Sequence, residues 1–97
     1  MDNEIKSDTW IWVVIQDPGS NEQFLGQFDE DMSESFIPAF YQKEDAQQCL
    51  IQLKTEKGKK YEVQAICFDD LAKDAAKNDF KIFMLKGDGE ILKKIAP

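Results

Sequence analysis

Residues 36–85 read FIPAFYQKEDAQQCLIQLKTEKGKKYEVQAICFDDLAKDAAKNDFKIFML, and the change of period along this stretch decides the fold. Phe36 to Tyr41 is a short, β-prone apolar strand, in which Pro38 argues for an edge position or a bulge. From Lys43 to Lys54, Ala46, Cys49, Leu50 and Leu53 recur at i, i+3, i+4 and i+7 and share one helical face. Glu44 and Asp45 in the first turn and Lys54 at the end suit the helix dipole, and Gly58 closes the segment. Tyr61 to Phe68 returns to strand character. A second helix, capped by Asp69 or Asp70, carries Leu71, Ala72, Ala75 and Ala76 and stops near Asn78. Phe80 to Leu85 is again a strand. Strand, helix, strand, helix and strand in succession predict two crossover units on one sheet.

Working outward, Thr9 to Gln16 (TWIWVVIQ) is β-branched and aromatic throughout, hence a strand. Trp10, Trp12 and Val14 alternate with Ile11, Val13 and Ile15. Apolar character on both faces implies a central strand covered on each side, or one face kept for a partner. Asp17-Pro-Gly-Ser-Asn21 is a turn. Gln23 to Phe28 is a second strand, with Gly26 marking a bulge or a close backbone approach. Beyond Leu85, Gly87-Asp-Gly89 is a turn and Glu90 to Ile95 its hairpin partner. The expected order is β-β-β-α-β-α-β-β, an α+β fold with a mixed sheet and two helices. Residues 9–97 form its single domain, and residues 1–8 read as a loose polar leader.

Composition narrows the function classes. The chain has 97 residues, 42% hydrophobic and 11% aromatic, with a net charge of −7. It contains no histidine, the commonest general base near neutral pH, and no arginine, so every cation is a lysine. Residues 1–40 carry −8 and residues 41–97 carry +1. A net negative field repels nucleic acid and anionic membranes and leaves a basic partner, a cation or plain solubility open. The acidic start and the six-residue apolar run from Trp10 to Ile15 do not make a secretory signal or a membrane span. Two widely spaced cysteines, Cys49 and Cys67, suit a reducing, cytoplasmic setting.

Three pieces taken together resemble a known family. They are Phe36-Ile-Pro-Ala-Phe-Tyr41 leading into Glu44-Asp45-Ala46, the helix start Phe68-Asp-Asp-Leu71, and the terminal Leu85-Lys-Gly-Asp-Gly-Glu-Ile-Leu92. Over about residues 36–92 the arrangement resembles the N-terminal domain of the SseB family of bacterial proteins and, more distantly, the Tic22-like import proteins. Such helices often open with serine or threonine, where this chain has Gln42 and Lys43. The resemblance implies a non-enzymatic domain with no catalytic residues to carry over, and the Tic22-like proteins suggest a chaperone-like binding activity by analogy.

Candidate sites follow from the residues. Trp10, Trp12, Phe24 and Phe28 concentrate large rings in the first half. With Pro38 at a sheet edge they form a candidate surface for a protein partner, a second copy included, and core packing is the competing role for the same rings. Asp29, Asp31 and Glu34 form, with Glu30, the densest carboxylate group and the candidate ligands for a divalent cation. The calcium-loop pattern nevertheless fails, with Glu34 at the glycine position and Phe40 at the closing acid. Cys49 and Cys67 read as packed thiols. Gly87 and Gly89 lack the lysine and the following helix of a phosphate loop. No residue pattern points to a catalytic centre or a cofactor. The expectation is a non-catalytic interaction module, with a small-molecule or cation sensor built on residues 29–34 as the alternative.

Overall fold

In the computed structural model, which describes residues 5–96, β1 (Trp10–Gln16) organises the sheet. One side of it pairs antiparallel along its whole length with β5 (Tyr61–Cys67), from Trp10 opposite Cys67 to Gln16 opposite Tyr61. Its other side is shared between two strands. Trp12 and Val13 face Phe40 and Ala39 of β4 (Glu34–Phe40), while Ile15 and Gln16 face β2 (Gln23–Phe24). The first half of β4 pairs instead with β3 (Gln27–Asp29). β6 (Lys81–Leu85) runs parallel to β4, and β7 (Ile91–Ile95) closes the far edge as its antiparallel hairpin partner. The result is the expected α+β architecture, a mixed sheet of seven strands.

The segment read as one strand, Gln23 to Phe28, is two. The chain leaves β1 after Phe24, spends Leu25 and Gly26 crossing over, and rejoins the sheet on β4. Leu25 keeps one bond to β1, its N–H donating to the Val14 carbonyl at 2.9 Å. Gly26 is needed at the crossing because a Cβ there would lie 2.6 Å from the Phe80 ring. That crossing also resolves Pro38, which lies in an inner strand and is fully buried. The edge position expected for it is wrong. β3 pairs with β4 as far as Phe36 and β1 begins at Ala39, so Pro38 falls in the gap between two partial ladders, where its missing N–H interrupts neither.

The helices α1 (Lys43–Leu50) and α2 (Phe68–Lys77) lie on opposite faces. The crossover through α1 carries the chain from β4 past β1 to β5, and the one through α2 brings it back over β1 and β4 to β6. Crossovers between parallel strands share one hand in nearly all proteins, so two that travel in opposite directions land on opposite faces. The alternation in β1 serves both layers. Ile11, Val13 and Ile15 pack with Ile37, Ala39, Ile82 and Met84 beneath Leu71 and Ala75 of α2. Trp12 points the other way, towards Phe40, Phe83 and Leu85 beneath Ala46 and Cys49 of α1.

Both helices begin without a side-chain cap. Gln42 and Cys67 occupy the cap positions in extended conformation, and Asp69 and Asp70 sit inside the first turn of α2, where they act on the dipole rather than as caps. α1 stops at Leu50, four residues short of the Lys54 that periodicity suggested. The reason is tertiary. The Gln27 side chain on β3 accepts the Lys54 N–H at 3.0 Å and donates to the Lys54 carbonyl at 2.9 Å, holding that backbone as a neighbouring strand would. Of the leader, residues 1–4 lie outside the described residues, whereas residues 5–8 are docked. Ile5 packs on the α2-side core, and the Ser7 carbonyl accepts from the Asp69 N–H and the Cys67 thiol. No helix among the described residues is long and apolar enough to cross a membrane.

Candidate functional site

An eight-residue helix is about 12 Å long, too short to cover the face it lies on. Below its C-terminal end the α1 face opens into a groove of about 420 Å³. The floor is the Phe36 and Phe83 pair, stacked with centroids 4.1 Å apart and planes 10° apart, together with Leu85. The two rings meet because the parallel register sets Phe36 beside Lys81 and Pro38 beside Phe83, bringing residues 36 and 83 together diagonally on one face. Cys49 of α1, with Gln52 and Leu53 from the turn that follows the helix, forms one wall. Phe28 with Asp29, Glu30 and Asp31 stands on one flank, and Gly89 with Ile91 of the hairpin on another. Phe28 is 54% and Ile91 44% exposed, so apolar surface continues over the lip of the groove.

Charged groups stand on the rim, where Asp29, Glu30 and Asp31 lie, and beyond it. The Glu34 carboxylate, only 12% exposed, bonds to the Lys81 ammonium and lies 3.5 Å from that of Lys94. The Lys81 hydrogen bond, aided by the fields of both lysines and opposed by partial burial, holds Glu34 below the usual carboxylate range. Lys94, cross-strand from Phe83, sits 4.9 Å from that ring's centroid. These two cations are therefore engaged. Asp29 accepts the N–H groups of Asp31 and Met32 at 3.1 and 3.4 Å, closing its own turn. Glu30 and Asp31 are exposed, and their carboxylates make no ion pair among the described residues. Burial pushes the Cys49 thiol up, with the fields of Asp88 and Asp45 adding to it.

The rings proposed as one partner surface are not brought together. Trp10 is 65% exposed at the start of β1. Trp12 is half-buried on the α1-side core, with the Lys43 ammonium 5.7 Å from its ring. Phe24 packs on the α2 side and Pro38 is interior, so of the five only Phe28 lines the groove. The break between β2 and β3 is what sends Phe24 and Phe28 to different places. Asp29 and Asp31 share the rim, but Glu34 turns to its lysines, and no three described acids, cysteines or histidines are grouped to hold a metal. Both cysteines are free thiols.

Sequence reasoning missed Phe36, Phe83, Leu85, Leu53 and Ile91. The strand residues among them alternate as a covered face does, Leu53 continues the spacing of the helix, and nothing local says that the covering helix stops short. No family model, curated protein or solved structure matches this chain.

Proposed function

We propose that this domain is a non-catalytic interaction module that receives a segment of another protein in the groove beneath α1. One observation carries the reading: a stacked aromatic floor whose apolar surface runs out over both flanks, with Asp29, Glu30 and Asp31 at the rim and Gln52 the one side-chain amide in the wall. Small-molecule sites place a few convergent polar groups inside the cavity to fix orientation. A hydrocarbon centre with a polar surround is the anatomy of a protein interface. A cytoplasmic setting agrees with two free cysteines and an acidic chain, and the SseB-like resemblance points to the same non-enzymatic class.

The test is photocrosslinking in cells, with a benzophenone side chain placed in turn at Phe28, at Ile91 and, as a control away from the groove, at Ser20. A discrete product of the same mass from positions 28 and 91, absent from position 20, supports the reading, and its mass separates a second copy from a different protein. Equal products from all three positions, or none, would sink it.

A further inference from the structure

We infer that the segment received by the groove is basic, a stretch of polypeptide that sets one large apolar side chain on the Phe36–Phe83 floor and lysines or arginines next to it, against Asp29, Glu30 and Asp31. The inference rests on the reading above and narrows it to a class of partner.

Charge complementarity at the rim carries it. Asp29, Glu30 and Asp31 stand on one flank, and Lys54 is the single cation among the lining residues. The nearby lysines do not offset these acids, because Lys81 and Lys94 are drawn to Glu34. Asp45 and Asp88 add to the negative field, which reaches Cys49 in the groove wall. Glu30 and Asp31 hold no cation of their own among the described residues, so an incoming ammonium or guanidinium breaks no existing pair. The floor beside them, Phe36, Phe83 and Leu85, is hydrocarbon without a side-chain donor or acceptor, which a purely charged peptide would leave uncovered. A neutral apolar segment would fill the floor and leave the acids without partners. A segment with both features satisfies both, and the acidic field also speeds its arrival.

The experiment selects from a displayed library of random twelve-residue peptides against the full chain at low salt. Bound peptides are expected to converge on an aromatic or large aliphatic residue flanked by lysine or arginine. A selected peptide should shift the backbone amide resonances of Leu53, Phe83 and Leu85. The triple variant Asp29→Asn, Glu30→Gln, Asp31→Asn should lose about tenfold in affinity, in line with three exposed ion pairs. A control neutralising three exposed acids elsewhere (Glu62→Gln, Asp70→Asn, Asp79→Asn) has the same net charge and should lose much less. Convergence on neutral or acidic peptides that still shift the groove resonances overturns the basic class and leaves the groove reading standing. Equal losses in the two triple variants, peptides that shift resonances elsewhere, or no convergence also overturn the inference.

Discussion

Glu34 is the residue at which charge and fold are most tightly joined. Its carboxylate binds fewer protons in the native protein than in the unfolded chain, because Lys81 and Lys94 favour the charged form. Its contribution to stability is therefore complete above the ordinary glutamate pKa of about 4.3 and disappears as the pH falls through the depressed native value. Glu34→Gln should lower the melting temperature at pH 7, and the gap from wild type should shrink as melts are repeated below about pH 4. A gap that stays constant with pH would show that shape, not charge, is what the substitution removes. The thiols offer a second check. Cys49 is buried with its pKa raised, while Cys67 is half-buried. Iodoacetamide at neutral pH should label Cys67 well before Cys49, as read by peptide mass mapping. Gly26→Ala forces a methyl into the Phe80 ring and should cost about 1–2 kcal/mol in a urea titration. Of these residues the sequence marked Gly26 as a place of close approach. It could not name Phe80, which lies 54 positions away along the chain.

Among the elements, the helices differ in how they are held. α2 rests on Leu71 and Ala75, both fully buried, and Leu71 is the one large side chain that it buries completely. Leu71→Ala should therefore cost about 3 kcal/mol, measured by denaturant unfolding, since the sheet beneath cannot collapse into the space. α1 is the shorter of the two and, like α2, has no cap bond; the backbone of Gln42 already has the extended conformation a cap requires. Gln42→Asp should raise stability by about 1 kcal/mol, and an unchanged melting curve would mean that the helix start is already satisfied by water. Both helices were legible from periodicity, and the end of α2 at Asn78 agrees with its expected stop. The end of α1 was not legible, because Gln27 competes with the helix for the Lys54 backbone from another part of the fold. The same four lost residues open the groove.

Over the whole molecule the net charge of −7 acts as a weak expansive force. At about 10 mM salt the screening length of about 30 Å spans most of a body measuring 44 × 30 × 27 Å, whereas at about 150 mM it is about 8 Å. Added salt over that range should raise the melting temperature, while binding of a basic segment in the groove should weaken. Composition and period alone determined the α+β class and the two helices, and narrowed β1 to a central strand or one with a face kept for a partner, because burial on two faces must be written into the side chains. Only the tertiary structure decided which rings are core and which are surface. Opposite-running crossovers placed the helices on different faces, and the Gln27 clamp set how far α1 reaches. Both depend on contacts between distant positions, which no local pattern encodes.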